Sequence, residues 1–121
     1  MEFQFCCSYE DLGHLLANTT NRLGSDIEVV GVYLFKDKYT GKRVCTGHIV
    51  FLGKPKFNKL KLSRPEELQW LREAHECSLK YMSSNDTILI HEISRNQIAN
   101  LHFEALRNID CKNTKMAWRR Y

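Results

Sequence analysis

The chain has no long apolar run, no paired-cysteine motif and no low-complexity tract, and each absence removes a class of protein. Nowhere in its 121 residues is there the stretch of about 20 apolar residues that crosses a bilayer. The opening MEFQFCCSYED has neither the basic start nor the apolar core of a signal peptide. An intracellular protein, of cytoplasm or nucleus and without a membrane partner, is therefore expected. The five cysteines, Cys6, Cys7, Cys45, Cys77 and Cys111, are odd in number and contain no C-x-x-C pair. Buried thiols in a reducing compartment are the expectation.

Catalytic signatures are missing as well. No Gly-rich phosphate loop follows a strand, and there is no nucleophile elbow. His75-Glu76-Cys77 lacks the second cysteine pair of a zinc deaminase. His14, His91 and His102 are scattered over helices and a strand, where structural roles are commonest. These absences predict no enzyme, no cofactor, no metal and no small-molecule substrate.

What remains is the composition of one soluble domain. Apolar residues at 43% and charged residues at 26% can build a single modest core. A net charge of +4 permits a nucleic-acid or acidic partner without requiring one.

Periodicity divides the chain cleanly. Phe3, Phe5 and Cys7 alternate with Gln4 and Cys6, as in a half-buried strand. Ser8 can cap a helix carrying Leu12, Leu15, Leu16 and Leu23 on one face, and Gly24 can end it. The β-branched and aromatic run from Ile27 to Phe35 is a second strand, and Arg43 to Leu52 a third, joined by a polar turn. On the third strand Cys45, Gly47, Ile49 and Phe51 share the face expected to meet the core; Val44, Thr46, His48 and Val50 share the other.

After a lysine-rich loop, Ser63 with Glu66 forms a capping box. The helix it opens runs to about Met82, with Leu68, Leu71, His75 and Met82 on one stripe and Ala74 and Leu79 beside it. Thr87 to Ile93 is the last strand. Ser94 with Gln97 repeats the capping pattern for a final helix, Arg95 to Ile109, and a basic tail follows.

The turn and third strand, DKYTGKRVCTGHIVF from Asp37 to Phe51, resemble the loop and octapeptide strand of an RNA recognition motif. Val44 to Phe51 lies on that octapeptide with Gly47 in the small position, Ile49 in the aliphatic one and Phe51 in the last. The resemblance covers residues 1–93. With the element order it implies an α+β, ferredoxin-like βαββαβ sandwich: a four-stranded antiparallel sheet with two helices on one face. Residues 94–110 would be an appended C-terminal helix, the natural cover for the open sheet face, and 111–121 a basic flexible tail.

The family grips single-stranded RNA with aromatic rings on that open face, each stacked base being worth about 1–3 kcal/mol. Here Gln4, Thr46 and His48 stand where the rings belong, and Val44 stands where a basic residue belongs. The resemblance thus implies a module that has lost base stacking. Its expected role is protein–protein assembly, homo- or heterotypic, within an RNA-processing or ribonucleoprotein complex such as one of small-RNA biogenesis. Trp70 is a candidate interface anchor, and Val44 and Val50, with Val30 or Val32, would leave an apolar area.

The alternative is direct single-stranded RNA binding. It would use His48, Thr46, Gln4 and Tyr39, with Tyr33 also nearby in sequence, and phosphate contacts from Lys42, Arg43, Lys54, Lys56, Lys59 and Lys61. More remotely, the strand GHIVF followed by a basic loop and a helix bearing Tyr81 resembles the rolling-circle replication initiators of small single-stranded DNA viruses. Those enzymes hold a metal between two histidines flanking one residue, beside a tyrosine followed three residues on by lysine. Val50 and Ser84 occupy the second histidine and lysine places, so the metal pair cannot form.

Overall fold

The computed structural model describes residues 2–57, 63–108 and 118–120. Its elements are β1 (Glu2–Ser8), a 3-10 turn (Tyr9–Asp11), α1 (Leu12–Leu23), β2 (Ile27–Asp37), β3 (Arg43–Phe51), α2 (Arg64–Ser83), β4 (Thr87–Glu92), α3 (Arg95–Arg107) and β5 (Trp118–Arg120). The expected strands and helices are all present; α1 starts three residues later than a Ser8 cap implies, β5 was not expected, and the other boundaries move by two residues at most.

The caps explain two of the three helix starts. At α2, Ser63 N–H donates to Glu66 Oε2 at 2.8 Å and Glu66 N–H donates back to Ser63 Oγ at 3.4 Å, a complete capping box. At α3, Gln97 N–H reaches Ser94 Oγ, but the Gln97 amide turns away to donate to Tyr9 Oη at 2.7 Å. Ser8 does not cap α1 as expected. Its hydroxyl donates to the Asp11 carboxylate at 2.8 Å, and the 3-10 turn intervenes. Gly24 closes α1 in the left-handed conformation at φ 56°.

The four long strands form an antiparallel sheet in the order β4-β2-β3-β1, and short β5 lies beside β1. This departs from the ferredoxin-like expectation, in which the fourth strand lies beside the first; here β4 pairs with β2. The displacement has a further consequence. Strand crossovers are almost always right-handed. The steps β1-to-β2 and β3-to-β4 now run the same way across the sheet on strands of opposite direction, so their helices must lie on opposite faces.

They do. Phe3, Phe5, Val32, Leu34, Cys45, Ile49 and Phe51 form one core with Leu12, Leu15, Leu16 and Leu23 of α1 and Ile98 of α3. Cys6 projects from the other face and is disulfide-bonded to Cys77 of α2. The expectation of five reduced thiols is therefore corrected: Cys6 and Cys77 are paired, Cys7 and Cys45 are free, and Cys111 lies outside the described residues.

α3 is not the cover of the open sheet face. It packs on α1 on the core side, so closely that a Cβ at Gly13 would stand 2.7 Å from the Leu101 carbonyl oxygen. The α2 stripe also differs from the expected one. Trp70, Ala74, Cys77, Ser78 and Tyr81 face inward to various depths, whereas Leu68, Leu79 and Met82 are exposed. That rotation sets Cys77 against Cys6 of β1 and turns the larger aliphatics out.

Gly47 owes its identity to packing. A Cβ there would meet Phe5 Cε1 and Val32 Cγ2, each at 2.8 Å, so two core side chains already fill the space a larger residue would need.

Candidate functional site

Two surfaces stand out, the part of the sheet that α2 leaves uncovered and a cleft at the end of β1 and β3. The uncovered face is set by cross-strand register, since paired residues project to the same side. His48 is paired with Val30 and Gln4, Thr46 with Tyr33 and Cys6, Val44 with Phe35 and Ser8, and Phe35 in turn with Leu89. Toward β1 this face is closed: Thr46 is 3% exposed and Val44 8%. Toward β4 it opens onto Val30, Tyr33, Phe35 and Leu89, with Tyr33 and Leu89 exposed.

A bulge puts Tyr33 there. Register shifts between Val30 and Tyr33, where Gly31 takes φ 60°, and a glycine inside a strand pattern is the usual mark of such a step. The shift returns Val32 to the core, 1% exposed, and delivers the tyrosine to the open side. That glycine was a legible signal of the face Tyr33 takes, which its nearness to His48 in sequence does not settle.

β4 is the edge of the sheet among the described residues. Ile88, Leu89 and Ile90 are all exposed, at 50, 54 and 41%. The strand TILIHE contains neither lysine nor proline, the residues that commonly protect an edge from pairing. A short apolar run bounded by turn residues reads as a buried strand; here it lies at the margin.

The residues named as nucleic-acid ligands are dispersed. Thr46 is buried, Gln4 half-buried, and His48 Nδ1 lies 3.2 Å from Glu2 Oε1. Tyr39 sits exposed in the β2–β3 turn, which Asp37 builds by accepting the Tyr39 and Thr40 N–H groups, each at 2.8 Å. Those two bonds hold the Asp37 carboxyl below the usual range, the Thr40 amide contributing most. Lys42 and Arg43 follow this turn at one end of β3, and Lys54 and Lys56 follow Phe51 at the other. The two basic groups therefore form no continuous stripe. Lys59 and Lys61 lie outside the described residues. Of the named interface residues, Trp70 is half-buried against the core cluster, Val44 is buried, and Val50 is half-buried on the open face.

The cleft, about 650 Å³, is lined by Cys7, Ser8, Glu10, Gly41, Lys42, Arg43, Val44, Cys77 and Tyr81. Arg43 Nη2 bonds Glu10 Oε1 at 2.8 Å while its guanidinium lies 4.7 Å from the Tyr9 ring centroid. That hydrogen bond draws the Glu10 carboxyl below its ordinary range. Cys7 Sγ stands 3.7 Å from Cys45 Sγ. The hydrogen bond to Cys45, with burial, pushes the Cys7 thiol well above its ordinary value. Tyr81 shares this cleft with Val44, two alternate positions along β3 from His48, and His48 is not among the lining residues. The pairing of histidine and tyrosine found in rolling-circle initiators is thus not assembled. Among the described residues no three His, Cys, Asp or Glu side chains converge as metal ligands, and no helix is long and apolar enough to cross a membrane.

No family model matches the sequence, no curated protein is significantly similar to it, and no solved structure matches it. The class defined by fold and site is an α+β domain with a four-stranded antiparallel sheet, three helices and an uncovered apolar edge.

Proposed function

We propose that the chain is a noncatalytic assembly module whose β4 edge accepts an extended strand from another polypeptide, a second copy or a different protein. The observation that carries this is β4 itself, with three consecutive exposed aliphatics and no strand on its outer side among the described residues. An unpaired edge offers a row of backbone donors and acceptors, and strand addition satisfies them while covering the side chains. The adjoining Val30, Tyr33 and Phe35 widen the apolar area on one face.

Kinship with the RNA recognition motif is supported by the octapeptide at Val44 to Phe51 and by β1, α1, β2 and β3, which keep that family's relative order; the placement of β4 departs from it. On this kinship the setting is an RNA-processing or ribonucleoprotein complex. Light scattering over a concentration series, with Leu89→Glu as the control, tests the homotypic form. Pull-down with β4 peptide competition tests the heterotypic one. A monomer at every concentration, with no partner displaced by the peptide, would overturn assembly through this edge.

One observation favours a second reading, single-stranded RNA on the same face: Tyr33 is 39% exposed on the side that bears His48. A base could stack there although Thr46 is closed to it. Titration with short RNAs at low and moderate salt, repeated with Tyr33→Ala and His48→Ala, separates the two. Loss of measurable binding in both variants would establish the RNA mode.

A further inference from the structure

Among the described residues one covalent bond ties α2 to the sheet, from Cys6 of β1 to Cys77. Cys6 and Cys7 are consecutive, so their side chains leave opposite faces of the strand. Cys7 meets Cys45 on the core side, and Cys6 turns toward α2. The two ends of the bond differ in access. Cys6 is 2% exposed and takes no part in the cleft wall, whereas Cys77 is half-buried and forms part of it. Thiol exchange depends on which sulfur an incoming thiol can reach. From the cleft that sulfur is Cys77 Sγ, with Cys6 Sγ behind it as the leaving atom.

The cleft also selects by charge. Arg43 and Glu10, both in its lining, are engaged with each other. Lys42 is the uncompensated charge among the lining residues, and it favours an anionic visitor. A volume of about 650 Å³ falls within the roughly 300–1,000 Å³ of small-molecule sites.

What the bond holds follows from the inward side of α2. Trp70, in the first half of the helix, packs against the core cluster. Beyond it the buried side chains are the small Ala74 and Ser78, with Tyr81 half-buried, while Leu79 and Met82 are exposed. Ser78 Oγ is buried with no hydrogen-bond partner among the described residues. The second half of α2 therefore brings little apolar burial of its own to the sheet, and the disulfide supplies much of its hold.

We propose that the cleft admits a small anionic thiol of the glutathione class, that this thiol opens the Cys6–Cys77 bond by attack on Cys77 Sγ, and that opening it releases the second half of α2 from the sheet. The ligand sulfur gives up its proton and bonds to Cys77 Sγ; the Cys6–Cys77 bond breaks, and the Cys6 sulfur leaves and takes up a proton. A second ligand thiol, likewise deprotonated, attacks the ligand sulfur of the mixed disulfide and expels Cys77, which is protonated in turn. One protein disulfide is reduced to two thiols and two ligand thiols are oxidised to one disulfide, so atoms and electrons balance.

The test uses the full chain carrying Cys111→Ser with Cys6–Cys77 closed, treated folded with reduced glutathione and acid-quenched for intact mass and peptide mapping. The transient adduct should map to Cys77, and the final product should be heavier by two hydrogens. The rate should hardly change over urea concentrations that leave the chain folded. Lys42→Glu should slow reduction by glutathione several-fold and leave that by neutral 2-mercaptoethanol unchanged. In the reduced, folded chain iodoacetamide should alkylate Cys6 many times faster than Cys45: both are at most 2% exposed while the bond is closed, but only Cys6 lies on the α2 side. Circular dichroism verifies that each form is folded. An adduct on Cys6, a reduction rate that climbs with urea in step with unfolding, equal slowing of both reagents by Lys42→Glu, or equal alkylation of Cys6 and Cys45 would each overturn the proposal. None of these readouts depends on strand addition at β4.

Discussion

Removing the Cys6–Cys77 bond with Cys77→Ser should be the most damaging conservative change in the protein. The bond joins residues 71 apart in sequence, and it links the first strand to a helix on the opposite face from the main core. Restricting a loop of that length in the unfolded chain is worth roughly 4 kcal/mol at 25 °C in the chain-entropy account. A small domain has only about 5–15 kcal/mol in all, so the variant should lie near the edge of folding. With a urea dependence of about 1.5 kcal/mol per molar, the unfolding midpoint should fall by about 2.7 M. Serine nearly matches cysteine in size and position 77 is half-buried, so lost packing contributes little. The assay is urea denaturation followed by circular dichroism, with thiol titration of the unfolded parent alongside. No more than three reactive thiols should be found in the parent, because two of its five cysteines are tied. A midpoint shift under about 0.5 M, equivalent to less than 1 kcal/mol, would show that loop restriction is not what holds α2 to the sheet.

Three further outcomes follow from local geometry. Gly47→Ala inserts a methyl 2.8 Å from both Phe5 and Val32 and should cost about 1–3 kcal/mol, seen as a lower melting temperature; an unchanged melting point would contradict the tight approach at β3. Ser63→Ala removes one half of the capping box and should cost about 1 kcal/mol in urea unfolding, with Ser63→Asp restoring most of it. His102 is held neutral by burial, its pKa lowered from 6.5, so below that value the unfolded chain binds the extra proton first. Stability is thus fully present above pH 6.5 and falls with acid toward the lower folded-state value. His102→Gln should flatten the decline just below 6.5, and an identical pH profile in the variant would refute the assignment.

Much of the secondary structure was legible because it is local. The capping box at Ser63, the left-handed close at Gly24 and the turn at Asp37 need only neighbouring residues. The candidate site was less legible. Val50 and His48 were rightly assigned to the face opposite Cys45, since alternation along one strand settles that. Tyr33 was legible only as a neighbour of His48 in sequence, because the bulge at Gly31 breaks the alternation that would give its face, and Ile88, Leu89 and Ile90 carry no sign of whether a neighbour covers them. The Cys6–Cys77 pair was equally hidden, because which cysteines approach one another is decided by how elements far apart in sequence are stacked.

By itself the order of residues determined where most of the strands and helices lie and which side of β1 and β3 is apolar. Periodicity, caps and turns act over a few residues, so they survive translation into a string of letters. Only the tertiary structure decided that β4 lies beside β2, that α2 crosses to the face opposite α1, and that Cys7 meets Cys45 across β1 and β3. The first two outcomes depend on which of two sheet edges the last long strand joins. Crossover handedness then carries that choice through to the position of a whole helix.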